Sequence, residues 1–406
     1  MSPHPFRILL LISNLEIGGA QEIVRTLAEH FTRAGYPTVV GALSDGPLRP
    51  EIERLGIPVE ILPQRRYSVL ALPLFLADMW RIRQAILKVV DQYQINIVQT
   101  QLLRGLDFLV LSLRLSRPLL VFWTFHNARF VLRAEHLPRF RWLLGIKRSA
   151  HAWLYRLCAR WVNGLIAVSE DVKKAIHEYA GTLHGKVTVI LNSVDVARYQ
   201  QPVDRQQVRQ QLGIASDAPV IAVVAMFKEQ KGHRYLIEAA PTLRARFPDL
   251  HILFIGDGEL RQSLQRRVQS LGLNECIHFL GLRNDVSDLL GASDCFVLPS
   301  LWEGLPMALV EAMARGLPVV ATRVSGTKEV MVDDQTGLLV PPGDVDRLIE
   351  AVTRLLSDTK RAREMGEAAR QRVVSLFSVE RQVQEHLALY QQQWKITFSG
   401  IGEYGH

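Results

Sequence analysis

Glu303 and Glu311, with seven residues between them, are the side chains of this sequence best placed to do chemistry. From Pro306 to Arg315 the residues favour a helix. Proline suits the first turn, Ala, Leu and Met carry it on, and Gly316 with Pro318 ends it. Met307, Leu309, Val310 and Met313, with Ala308, Ala312 and Ala314, leave that helix almost no polar face, so it is expected to be buried. Glu311 is then out of place, because a carboxylate in such a setting is costly unless something polar meets it, and Arg315, four residues on, already marks the helix end. Glu311 therefore reaches solvent, caps a neighbouring backbone, or holds a ligand hydroxyl. At the mouth of the helix, Glu303, Gly304 and Leu305 lie where free N–H groups and the positive end of the dipole suit a phosphate. A carboxylate beside an anion site makes sense if it holds a neutral, hydroxyl-rich group.

Other candidates are less specific. Gly18-Gly19-Ala20-Gln21-Glu22 opens the first helix after the first strand, so the Gly19 N–H either approaches a phosphate or simply makes a tight turn. No G-x-G-x-x-G stands there, which counts against an NAD enzyme. His126 ends an apolar strand, Trp123-Thr124-Phe125, and is either a satisfied structural histidine or a site residue. Asp344-Val345-Asp346 has the D-x-D spacing of a metal pair, but Pro341-Pro342-Gly343 before it and an amphipathic pattern after it predict a helix N-cap instead.

The elements that must position these residues alternate. Apolar runs at Ile8 to Ile12, Thr38 to Leu43, Val59 to Leu62, Ile95 to Thr100, Leu119 to Phe125 and Leu165 to Val168 are separated by helical patterns, the first from about Ala20 to Arg33. A second series runs Val220 to Ala225, His251 to Ile255, Cys276 to Leu280, Cys295 to Leu298, Val319 to Ala321 and Gly337 to Val340. Such alternation predicts an α/β protein of two Rossmann-like, doubly wound domains facing a cleft. The expected division is residues 1–196, a linker at 197–218, a second domain at 219–378, and a closing helix and tail at 379–406 that returns toward the first domain.

A length of 406 residues supports two cores, and 48% apolar with 22% charged residues excludes a disordered chain. Cys158, Cys276 and Cys295 show no CxxC spacing, so neither zinc nor a disulfide framework is expected, and a reducing, cytoplasmic compartment is. The N-terminus reads as a buried strand, not a signal peptide, and no apolar run approaches the ~18 residues needed to cross a bilayer. The net charge of +8 is uneven: residues through Val196 hold 24 Lys and Arg against 15 Asp and Glu, the remainder 24 against 25. From Arg129 to Trp161 a run including Arg129, Arg139, Arg141, Lys147 and Arg148 meets a single acid, Glu135, and is interleaved with Trp142 and other apolar residues. It is either a packed helix with a solvated basic face or an interfacial segment attracted to anionic lipid. Nucleic-acid motifs are absent.

Taken as one pattern, Glu303-Gly304-Leu305-Pro306 and Glu311-Ala312-Met313-Ala314-Arg315-Gly316-Leu317-Pro318-Val319-Val320-Ala321 resemble the signature of the retaining GT-B glycosyltransferases of family 4. The resemblance covers essentially the whole chain, most specifically Lys231 to Val340. It implies transfer of a sugar from a nucleotide-sugar, a UDP-sugar on family frequency, with retained configuration and no metal or other cofactor. By the same resemblance Glu303 contacts the donor sugar, Glu311 the ribose, and Lys231 with Lys228 the diphosphate. Gly256 and Arg283 lie in loops near the nucleotide, Gly19 lies beside the diphosphate, and His126 contacts the transferred sugar. In the family an Arg shortly follows the strand that precedes the lysine; here Met226 stands in its place. Ser325-Gly326-Thr327-Lys328-Glu329 matches the family's Gly-Gly-x-x-Glu loop with one Gly replaced. The basic segment favours a lipid-linked or membrane-borne acceptor in cell-surface polysaccharide or glycolipid assembly at the inner face of the plasma membrane. The alternatives are a small soluble acceptor, and a catalytically silent binding subunit.

Overall fold

The computed structural model describes residues 6–63, 72–101, 106–126, 144–181, 183 and 185–398. In chain order the elements are β1 (Ile8–Ile12), α1 (Gly19–Arg33), β2 (Thr38–Ala42), α2 (Arg49–Arg54), β3 (Val59–Ile61), α3 (Leu72–Gln92), β4 (Ile97–Gln101), α4 (Leu106–Leu111), β5 (Leu120–Phe125), α5 (Leu144–Ala159), β6 (Gly164–Ala167), α6 (Glu170–Ala180) and β7 (Val187–Val189). There follow α7 (Val196–Gln200), α8 (Arg205–Gln211), β8 (Val220–Val224), α9 (His233–Arg246), β9 (His251–Ile255), α10 (Arg261–Ser270), β10 (Ile277–Gly281), α11 (Val286–Gly291) and β11 (Cys295–Leu298). The chain ends with α12 (Met307–Ala314), β12 (Val319–Thr322), α13 (Ser325–Val330), β13 (Leu338–Val340), α14 (Val345–Ser357), α15 (Thr359–Leu376) and α16 (Val379–Phe398).

Two compact units result, one of residues 1–192 with 379–406 and one of residues 193–378. In the first, the described strands form a parallel sheet in the order β3-β2-β1-β4-β5-β6-β7; in the second the order is β10-β9-β8-β11-β12-β13. Both reverse direction beside their first strand, the switch that leaves the carboxyl ends of the central strands open to a ligand. Strands buried on both faces read as continuous apolar runs, which is why β1, β8 and β11 were legible. The short edge strand β7, which is only half-buried, was not anticipated.

The stretch expected to be a linker, 197–218, instead carries α7 and α8, which pack within the second unit. Arg209 is the reason. It is 2% exposed, and its guanidinium donates to the carbonyls of Ala292 (2.9 Å), Ser216 (2.7 Å) and Ala218 (2.9 Å) and to Asp294 (2.7 Å). A buried cation so fully satisfied anchors a segment whose Gln, Asp and Arg content suggested solvent. Arg315, at the end of α12, likewise donates to the carbonyls of Tyr199 and Gln201, both at 2.6 Å.

In the first unit α16 packs on α1 and β5 and completes a buried polar network. The Tyr390 hydroxyl donates to Gln99 Oε1, while Gln99 Nε2 donates to Thr124 Oγ1 (2.8 Å) and to His386 Nε2 (3.3 Å). His386 Nδ1–H donates to the carbonyl of Gln382 (2.8 Å), so the ring is neutral with its lone pair on Nε2. Burial pushes His386 down to about 4, and burial followed by the nearby His386 does the same to His126. The unfolded chain binds these protons near pH 6.5 and the folded unit does not, so their contribution is whole above 6.5 and is lost as pH falls toward 4. We expect unfolding stability to drop by up to about 3 kcal/mol per histidine across that window. Urea midpoints between pH 7 and pH 4.5 measure the slope, which His386→Gln should flatten.

Candidate functional site

In the second unit, β8 runs into the turn that carries Lys231, and β11 runs into the loop that carries Glu303. The loops meet: Lys231 Nζ lies 2.7 Å from Glu303 Oε1. Ser300 Oγ donates to the same oxygen at 2.6 Å, and Gln230 Nε2 reaches Glu303 Oε2 at 3.4 Å while donating to the Trp302 carbonyl at 2.8 Å. The Leu301 N–H donates to the Gln230 carbonyl at 2.7 Å, tying the two loops through the backbone. The Glu303 side chain is 5% exposed and that of Lys231 23%, so a buried carboxylate is satisfied by one cation and two neutral donors. Ser300 and Gln230 were missed from sequence; a serine three residues before a glutamate is too common a pattern to signal anything.

Glycines let these loops approach. Gly232 has φ +64°, and a Cβ there would lie 2.0 Å from the Pro299 carbonyl oxygen. At Gly326, in the first turn of α13, a Cβ would fall 1.7 Å from the oxygen of Gly304. This explains why position 326 keeps its Gly while Ser325 next to it is tolerated. Gly256, φ +143°, brings the end of β9 against the Ala225 carbonyl, 2.1 Å from where a Cβ would stand.

The helix expected from Pro306 to Arg315 is α12, with Pro306 as N-cap and no side chain capping it. Leu309, Val310, Ala312, Met313 and Ala314 are buried, and Glu311 is half-buried on the remaining face. Gly304 and Leu305 precede this uncapped end, where the dipole favours an anion. Met226 and Lys228 are both exposed at the end of β8, so no cation at position 226 flanks Lys231. Arg283 is not brought to the pair; it bonds Asp285 at 2.7 Å. Asp344 Oδ1 accepts from the Arg347 N–H at 3.0 Å as the cap of α14, as its sequence setting predicts.

In the first unit, Gly19 is the first residue of α1, preceded by an extended Gly18 with no side-chain cap. His126 follows β5, and its Nε2 lies 2.6 Å from Gln101 Oε1, which makes Nε2 the protonated nitrogen. Nδ1 is buried and has no partner, as has Gln101 Nε2, and the space they share with Gln99, Thr124 and His386 has no room for a water. A ring held near pKa 4 takes protons poorly, which does not suit His126 to general base work. Gln99, Thr100 and Gln101 are the readable sign that was overlooked: three polar residues in a strand that is buried along its length. Arg129, Arg139, Arg141 and Trp142, and the side chains of Lys147 and Arg148, lie outside the described residues.

Comparison with known proteins gives two family matches: Glycosyltransferase Family 4 over residues 17–198, and Glycosyl transferases group 1 over residues 204–372. The chain is 32% identical over 249 residues to the UDP-Gal:alpha-D-GlcNAc-diphosphoundecaprenol alpha-1,3-galactosyltransferase of Escherichia coli, covering 60% of this chain and 64% of that one. To the putative glycosyltransferase EpsD of Bacillus subtilis it is 26% identical, covering 89% and 90%. Thus it spans somewhat under two thirds of the first relative's length and nearly all of the second. Among solved structures, Anabaena Alr3699/HepE in complex with UDP-glucose superposes with a TM-score of 0.79 at 23% identity, covering 95% of this chain and 99% of that one.

Proposed function

Since this chain belongs to glycosyltransferase family 4, with the GT-B fold, we propose that it transfers a sugar from a nucleotide-sugar, most simply a UDP-sugar, to a lipid-linked acceptor in cell-surface polysaccharide or glycolipid assembly. The donor class and the acceptor class rest on the E. coli relative, whose name carries both a UDP-sugar and a diphosphoundecaprenol. Configuration is retained and no metal is required in this reading. The observation that carries it is the Lys231–Glu303 pair, held by Ser300 and Gln230 at the uncapped start of α12.

There the donor diphosphate lies against the α12 N-terminus and Lys231, which stabilise the charge that grows on the leaving phosphate as the glycosidic bond breaks. Glu303 holds the sugar hydroxyls and Glu311 the ribose. Lys228 is the nearest further cation in sequence to the position where Met226 replaces the family's arginine. The chain works at the inner face of the plasma membrane; among the described residues no helix is long and apolar enough to cross a membrane.

A thermal-shift and calorimetric panel of UDP-, GDP- and ADP-sugars tests the reading. One nucleotide-sugar should stabilise the wild type, by about 2.7 kcal/mol at a hundredfold excess over its Kd, and Glu311→Ala should lose the response. If no nucleotide-sugar binds, with or without magnesium, Met226 has cost the site its donor and the chain is a silent binding subunit.

A further inference from the structure

Helix α5 carries its apolar residues on the wrong side. Tyr155 and Ala159 are buried against the sheet, as a packed helix requires, while positions 150, 153, 154 and 157, continued past the helix end by 160 and 161, form a stripe facing solvent. Charges normally occupy such a stripe. Here it holds Trp153 (64% exposed), Leu154, Leu157 and Trp161 (67% exposed), with Arg160 among them. Neighbouring segments extend the surface. Arg114, in the 3-10 turn Ser112–Leu115, donates to the Trp161 carbonyl, and Leu115 beside it is 88% exposed. Arg83 of α3 donates to Ser112 Oγ at 3.1 Å and to Ser116 Oγ at 2.5 Å, and one turn earlier on α3 Trp80 is 62% exposed.

The free charge on these three elements has one sign, although α6, packed beside α5, carries the exposed Glu178. On the described parts of α3, the 106–116 stretch and α5, the acids are Asp78, Asp91 and Asp107. Asp78 and Asp107 are buried, and Asp91 is bound to Arg117 at 2.7 Å. Arg81, Lys88 and Arg160 are exposed. Exposed tryptophan and leucine rimmed by cations, with no unpaired acid among them, match the interface of an anionic bilayer, where indole rings sit at headgroup level and each nearby Lys or Arg adds attraction.

We propose that this face, formed by α5, the Ser112–Leu115 turn and the start of α3, docks the chain on anionic membrane, with Trp153, Trp161 and Trp80 inserted at the headgroups. The proposal deepens the lipid-linked acceptor reading and rests on it for its purpose, but its test needs neither donor nor acceptor. The full chain is sedimented with vesicles of phosphatidylcholine alone and of phosphatidylcholine mixed with phosphatidylglycerol, as wild type and as Trp153→Ala/Trp161→Ala, with circular dichroism to show that both are folded. The wild type should prefer the mixed vesicles, salt should weaken it, and the double variant should bind at least about tenfold more weakly while keeping its nucleotide-sugar thermal shift.

A wild type indifferent to phosphatidylglycerol, or a folded double variant that binds like the wild type, overturns the proposal. So does a wild-type dimer that the double variant turns into monomers, without vesicle binding, because the face would then belong to a second copy. Vesicle binding with no transfer to any lipid-borne acceptor would leave the docking face standing and remove only the acceptor reading.

Discussion

Lys231→Ala should lower kcat by about a hundredfold to a thousandfold, the scale on which one preorganised charge at a developing anion contributes. The variant acts twice. In the proposed mechanism it removes the cation from the leaving diphosphate, and in the structure it strands the Glu303 carboxylate, 5% exposed, on Ser300 and Gln230 alone. Leaving a buried carboxylate without its cation costs about 3 kcal/mol, so melting should fall as well. Lys231→Arg separates the two effects: charge and most stability return, but a planar guanidinium does not fit a site built for an ammonium, and kcat recovers only in part. Steady-state kinetics with a saturating donor, read beside urea unfolding, gives both numbers. A Lys231→Ala enzyme that melts lower yet turns over at the wild-type rate would reduce the pair to a structural one.

Gly326→Ala should be nearly as damaging without touching a charge. Its methyl would fall 1.7 Å from the Gly304 oxygen and 2.6 Å from the Gly304 carbonyl carbon. Both are backbone atoms, which cannot rotate away, so the loop that carries Glu303, Gly304 and Leu305 must move. Overpacking of this kind costs about 1–3 kcal/mol. The functional effect should be larger, because a loop displaced by about 1 Å mispositions the proposed sugar and phosphate contacts together, which is worth roughly a hundredfold in rate. Kd for the donor should rise, and Gly326→Val should be worse than Gly326→Ala.

Much of this site was legible because its parts obey local rules. The helix after Glu303 was bounded by Pro306 and Gly316, and α12 spans Met307–Ala314 within those limits. Asp344 announced a cap by its neighbours and is one. What could not be read is whatever depends on distant partners. Nothing local says that Gln230 will meet Glu303 across 73 residues, or that Arg209 will meet the Ala292 carbonyl and Asp294 more than 80 residues on. Helix α5 shows the same limit: its composition was legible as basic and aromatic, but which side is buried is decided by the sheet beneath it. The solvent stripe holding Trp153 and Trp161 follows from that packing alone.

The contribution of α16 to the first unit bears on how the chain comes off the ribosome. Phe6 meets its Tyr390 edge-on and Phe31 and Phe122 pack on it at a tilt, and Gln99 uses that hydroxyl and His386 as partners for its amide. These partners are encoded after residues 193–378, which make up the other unit. At roughly 5–20 residues per second, on the order of ten to forty seconds separate synthesis of β7 from synthesis of the helix that covers this face. Throughout that interval the nascent first unit presents uncovered aromatic rings and an unsatisfied amide, while the later-made unit is free to finish folding. Completion of the first-made unit therefore waits on the last-made helix, while the second unit has all its residues earlier.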